Sequence, residues 1–249
     1  LRFYSNWIVS SLLGFCMSLW IFIPLFNYAP LSKRSMSGGG ASFDYATAWS
    51  LHPFEMLTMI LPSSFGFGDS TYFGYMPFTN FPNYFGVILI LLSIFAFYGS
   101  SSNRIKYFFL FMFVFSLLVS FGKYSPLYKV LYDWLPYFNK FRVPSMILVI
   151  SQFCISVLAS IGLANLLLKI KEKFSFNMIL LSSGAVLITS ILWYLFHDFS
   201  AHHIQDDIIN SHRISMIGRD VIMIAAILTI FIVAAWLLIK DKINKNIFG

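Results

Sequence analysis

Six apolar stretches divide the chain, near residues 7–26, 81–98, 107–121, 144–168, 177–196 and 221–239. A helix needs about 20 residues to cross the hydrocarbon of a bilayer. The pattern therefore predicts an all-α polytopic membrane protein with about six transmembrane helices. The third stretch is short, at roughly 15 strongly apolar residues, and predicts either a tilted entry or local thinning of the bilayer. Between the stretches lie three long loops, at 27–80, 122–143 and 197–220. His52-Pro53-x-Glu55 predicts a helix start, with Pro at the first position and an acid in the first turn, running to about Leu61. Ser125-Pro126 opens another short helix, with Leu127, Val130, Leu131 and Trp134 on one face. A helix of that kind between two spans is expected to lie in the membrane interface.

Composition agrees. Of 249 residues 58% are hydrophobic and 11% charged, against roughly 25% charged in a soluble domain. Mean hydropathy is +0.76. These values exclude a soluble enzyme, a disordered chain or an ordinary nucleic-acid module. The net charge of +7 follows from 17 Lys/Arg against 10 Asp/Glu, without a basic run dense enough to track a phosphate backbone. Cys16 and Cys154 fall inside apolar stretches and make no metal spacing. The chain opens on Leu1 rather than Met, so the expectation is a single transmembrane domain, 1–249, cut from a longer chain.

Charge placement orients the spans. Arg2, Arg104, Lys106, Lys169, Lys171, Lys173, Lys240, Lys242 and Lys245 crowd into short segments, whereas the other eight cations are spread over the long loops. The short basic segments are expected on the cytoplasmic side, with both termini, and the long loops outside. Eight of the ten acids lie in or beside those loops, and no span carries a charge at its centre. Ion-coupled transporters and pumps place ionisable groups at mid-membrane, so this argues against them.

The candidate chemistry is therefore in the loops. His52, Glu55 and Asp69 belong to the densest polar-aromatic block, as acceptor-side contacts or as a cap and a turn. Tyr72, Tyr75, Phe78, Phe81 and Tyr84 form an aromatic lip, suited to stacking on sugars and better suited to an interfacial belt. Lys140-Phe141-Arg142-Val143-Pro144 puts a guanidinium fork where it grips a lipid-linked phosphate or snorkels to headgroups. His202/Asp206 and His203/Asp207 are spaced for a shared divalent ion, but without an established ligand motif no cofactor or metal is expected.

Several loop phrases occur in a recognisable order. They are Trp49-Ser-Leu-His-Pro-x-Glu55, Leu61-Pro-x-x-Phe-Gly-Phe-Gly68, Tyr72-x-Gly-x-x-Pro-Phe78 and Pro82-Asn-Tyr-x-Gly86. Phe121-Gly-Lys-x-x-Pro-Leu-Tyr128 and Leu135-Pro-x-Phe-x-Lys-Phe-Arg-Val-Pro-Ser145 follow. Over about residues 45–165 the chain resembles the YfhO-type bacterial membrane proteins, related to the GT-C glycosyltransferases. The resemblance implies a bacterial inner-membrane enzyme that moves a sugar from a polyprenyl-phosphate carrier to a cell-envelope acceptor on the outer face. It implies a phosphate held by Arg142, with Lys140 or Lys123. His52, Glu55 and Asp69 would lie on the acceptor side or behind it, and Tyr72, Tyr75 and Tyr84 at the lip. The catalytic carboxylate of such enzymes usually lies in a first outer loop, which would fall upstream of Leu1. Some members carry an Arg after the final Pro-Ser where this chain has Met146, leaving Arg142 as the only guanidinium of that phrase. The rival readings are a transporter or flippase-like protein for a lipid-linked substrate, and a non-catalytic membrane scaffold.

Overall fold

A computed structural model describes residues 2–28, 42–68, 70–98, 103–170, 173–197 and 207–240. Among them every regular element is helical. In chain order these are α1 (Arg2–Tyr28), α2 (Phe43–Ala46), α3 (Val87–Phe95), α4 (Asn103–Ser120), α5 (Pro126–Trp134), α6 (Leu148–Lys169), α7 (Lys173–Phe196) and α8 (Asp207–Ile239). Short 3-10 turns fill parts of the loops, among them Pro53–Met59 and Pro144–Ile147. Four helices are long and apolar enough to cross a membrane, through Trp7–Pro24, Pro144–Lys169, Phe174–Phe196 and Asp207–Ile239.

Two of the six expected spans are not among these four. The stretch expected as a helix over 81–98 is helical only from Val87 to Phe95, nine residues or about 14 Å. Pro82 and Gly86 explain the late start, since Gly86 has a φ of +97°, a region that costs glycine nothing. The stretch over 107–121 lies in α4, which has 18 residues but carries Arg104 and Lys106 in its first turns. The third long loop is shorter than expected, because α8 begins at Asp207, far ahead of its apolar part. At 33 residues, or about 50 Å, α8 exceeds the roughly 30 Å of hydrocarbon.

The short α3 is the centre of the packing. Its Val87 and Leu91 join Val186 of α7 and Ile217, Ile224 and Leu228 of α8 in one cluster. Its Leu92 and Phe95 join Ala159 and Leu166 of α6 in another. Helices in lipid gain little from apolar burial, so association depends on close approach and interhelical hydrogen bonds. Both devices are present. A Cβ on Gly162 of α6 would run into the Leu92 carbonyl oxygen, so only glycine permits this spacing. One turn on, the Asn165 amide donates to the Phe95 and Ala96 carbonyls, both at 3.1 Å, closing the end of α3. The Ser116 and Ser151 hydroxyls pair at 2.7 Å between α4 and α6.

The loops before α3 and between α4 and α6 meet at one end of this bundle. Val143 N–H donates to the Ala46 carbonyl, Leu51 N–H to the Ser120 carbonyl, and Lys123 N–H to the Ser50 hydroxyl. At the opposite end Lys169 lies over the Tyr98 ring and Lys240 over Trp236. Gly162→Ala should lower stability by about 1–3 kcal/mol through overpacking. Thermal unfolding in detergent measures this against Gly184→Ala, whose Cβ meets nothing within 4 Å. Equal melting temperatures for the two would refute the close-approach argument.

Candidate functional site

The site grows from the turn at His52. Its imidazole Nδ1 accepts from Phe54 N–H at 3.3 Å, and the Glu55 carboxylate reaches back to His52 N–H at 3.1 Å. The two form a reciprocal cap for the 3-10 turn Pro53–Met59. Glu55 is 1% exposed and does more than cap. It also accepts from the Tyr72 hydroxyl at 2.5 Å and from Tyr75 N–H at 3.1 Å. The Tyr72 oxygen accepts in turn from Met76 N–H at 2.8 Å. One carboxylate thereby ties residues 52, 72 and 75 together. Gly74 lies against it so closely that a Cβ there would collide with both Glu55 Oε1 and the Tyr72 hydroxyl.

Burial, the Glu55 charge and its hydrogen bond all push the Tyr72 phenol up, so it stays protonated. His52 stacks on Tyr75 with ring centres 3.7 Å apart and meets Tyr124 edge-on at 4.7 Å. Desolvation moves its pKa below the usual 6.5, with Glu55 opposing and Lys123 adding to the shift.

The strand of loop built on Glu55 forms one wall of a cleft of about 630 Å³, lined by Tyr72, Gly74, Tyr75, Pro77, Ala48 and Lys123 among others. Lys123 is exposed there and is the one cation of the lining. Gly122 sets its position: its φ is +47°, and a Cβ would strike the Ser50 hydroxyl that holds Lys123 N–H.

Arg142 lies beside this wall rather than in it. Its guanidinium carbon sits 4.1 Å from the Tyr45 ring centre and 4.5 Å from that of Trp49, the neighbour of Ala48. Nη1 donates to the Tyr45 hydroxyl at 3.0 Å, while Nε is buried and, among the described residues, without a hydrogen-bond partner. The next residue, Val143, holds a φ of +65°, a left-handed conformation that costs a β-branched residue about 1–3 kcal/mol. Its N–H bond to Ala46 and the following Pro144 fix the chain there.

The remaining expected residues separate. Lys140 is exposed on its own turn, 5.0 Å from the Tyr137 ring centre. Tyr84 leaves the lip formed by Tyr72 and Tyr75 and lines a different pocket. Asp69, His202, His203 and Asp206 lie outside the described residues. Among those described, no group of three His, Cys, Asp or Glu side chains is placed to hold a metal.

Sequence reasoning missed the residues that hold the cleft from behind. Arg213 of α8, 1% exposed, donates from Nε to the Thr71 carbonyl at 2.9 Å and from Nη2 to that of Ser70 at 3.3 Å. Its guanidinium lies 4.9 Å from the ring centre of Phe73, another residue of the cleft wall. Asp220 accepts from Ser63 N–H at 2.8 Å, and the Trp193 indole of α7 donates to the Ser64 carbonyl at 2.9 Å. Arg213, Ile217, Asp220 and Ile224 are all buried at helical spacing, a pattern hidden when hydropathy alone sets the loop boundary.

Fold and site define a helical membrane protein with a loop-built cleft at one end of its bundle. Comparison with protein-family models, curated proteins and solved structures gives no match.

Two outcomes test the site. Glu55→Ala leaves three donors without their acceptor and should cost about 3 kcal/mol or more, read as a fall in thermal stability. The His52 titration midpoint, followed by NMR of the imidazole carbons, should lie below 6.5 and rise in Lys123→Ala. The unfolded chain binds more protons between that midpoint and 6.5, so this group's contribution to stability falls as pH drops through the window. A midpoint unmoved by Lys123→Ala would remove Lys123 from the neighbourhood of His52.

Proposed function

We propose that the chain is part of a GT-C-type membrane glycosyltransferase that transfers a sugar from a polyprenyl-phosphate donor to a cell-envelope acceptor. The observation that carries the proposal is Lys123 in the cleft wall, with Arg142 stacked on Trp49, the chain neighbour of Ala48 in that wall. Two cations, one with an uncommitted buried Nε, suit a phosphate rather than a neutral or cationic ligand. Support also comes from the order of the loop phrases, which resembles that of the YfhO-type proteins. Crowding of basic residues into the short turns favours a cytoplasmic side there, hence a cleft on the outer face of a bacterial inner membrane, with both ends of this chain cytoplasmic. In the same reading all six apolar stretches lie within the membrane, α3 and α4 among them, and α5 rests in the interface.

In the reaction the bond between the sugar anomeric carbon and the carrier phosphate breaks, and the acceptor oxygen bonds to that carbon. The phosphate leaves with the electron pair, and Lys123, with Arg142 near it, stabilises the charge that develops. The acceptor proton passes to a base. Glu55 is not that base, since both its oxygens already accept hydrogen bonds at 1% exposure. Tyr72 and Tyr75 offer ring faces to the sugar, and Lys140 gives a second, peripheral attraction for anionic lipid.

The test uses the full-length protein reconstituted with radiolabelled polyprenyl-phosphate sugar and an envelope acceptor fraction. Acceptor-dependent transfer should fall about 100-fold in Lys123→Ala. Carrier binding should weaken about tenfold in Arg142→Ala. An intact carrier whose label crosses the bilayer would make the protein a transporter, and unchanged binding in both variants would overturn the phosphate assignment.

A further inference from the structure

A second pocket, of about 290 Å³, opens between the segment before α3 and the start of α6. Its lining includes Asn83, Tyr84, Ser145, Met146 and Gln152, and no charged residue. Three of these bring neutral hydrogen-bonding groups that the fold leaves unused. Among the described residues none bonds to the Asn83 amide or to the Ser145 hydroxyl. Gln152 spends only its Nε2, in a long 3.4 Å bond to the Tyr84 carbonyl. Side-chain amides and a hydroxyl supply donors and acceptors together, which matches a ligand whose groups both donate and accept. Tyr84 contributes to the wall, and its carbonyl holds Gln152 in place. A site without charge gives an anion or cation nothing to offset its desolvation.

The pocket is tied to the cleft. Ser145 N–H donates to the Trp49 carbonyl at 3.4 Å, and the Trp49 ring carries the Arg142 guanidinium. We infer that this pocket binds a neutral polyol, a sugar ring or the glycerol of a lipid, next to the cationic cleft. The inference rests on the proposed function only for the role of that polyol as the sugar of the donor or acceptor; the binding itself stands on the pocket. Its volume, equal to about ten waters, lies at the lower end for ligand sites and admits one small ring.

The experiment takes the full-length protein in lipid nanodiscs and measures, by saturation-transfer NMR, the binding of methyl glucoside and of 1-O-methylglycerol. Polyprenyl-phosphate binding is measured on the same samples. The double variant Asn83→Leu/Gln152→Leu should weaken polyol binding about tenfold or more and leave polyprenyl-phosphate binding in place. Met146→Trp, a bulky change at a site 72% exposed, tests the same pocket if the double variant fails to fold. Tighter binding of the glucoside identifies a sugar, and tighter binding of the methylglycerol a lipid headgroup. Polyol binding that ignores the foldable variants, or its absence from the unaltered protein, would overturn the inference. Absence of polyprenyl-phosphate binding from the unaltered protein, with polyol binding that falls in the pocket variants, would instead sink the glycosyltransferase reading and leave the pocket standing.

Discussion

The cleft depends on one buried carboxylate. Glu55 is withdrawn from solvent and would be costly there without partners, yet it accepts from His52 N–H, Tyr75 N–H and the Tyr72 hydroxyl. Those bonds join the turn at 52–55 to a segment about twenty residues later, and they leave Gly74 no room for a side chain. The wall of the cleft is this segment, so its shape follows from charge satisfaction more than from apolar packing.

A second constraint comes from the bundle. Because α3 is only nine residues long, the loop before it must follow the tops of α6, α7 and α8 rather than stand clear of them. Arg213, Asp220 and Trp193 meet that loop with hydrogen bonds to its backbone at residues 63, 64, 70 and 71. Buried charges on a membrane helix are expensive, and here they are offset by backbone groups that would otherwise lack partners. On the other side, Gly122 and Val143 accept left-handed backbone so that Lys123 and Arg142 stand next to the Trp49 loop. The cations are thus placed by backbone geometry, while the carboxylates and Arg213 hold the frame.

How much of this was legible in the chain varies with the range of the interaction. The helix after Ser125-Pro126 and the turn after His52-Pro53 were readable, since proline, caps and spacing act within a few residues. The all-helical, apolar character followed from composition. The nine-residue α3 was not readable, because its end is closed by Asn165, seventy residues on. Glu55 looked like a helix-dipole acid, and its link to Tyr72 and Tyr75 depends on a chain reversal that local pattern does not encode. Arg213 and Asp220 read as loop charges in the sequence, because a buried charge on a long helix looks merely polar until its backbone partners are in place. The aromatic lip looks continuous in sequence, yet Tyr72 and Tyr75 line the cleft whereas Tyr84 lines the pocket with Ser145 and Gln152.

Together the features describe a cationic cleft and a neutral pocket flanking Trp49, at the end of the bundle away from the basic turns. A phosphate-linked sugar at a membrane surface has both characters. The most direct test is photo-crosslinking of the reconstituted full-length protein with a polyprenyl-phosphate analogue carrying the photoreactive group beside the phosphate. Crosslinks should map to residues 72–77 and to Lys123, and should vanish with excess unlabelled polyprenyl phosphate. Crosslinks confined to α1, or undiminished by that competitor, would contradict a phosphate site in the cleft.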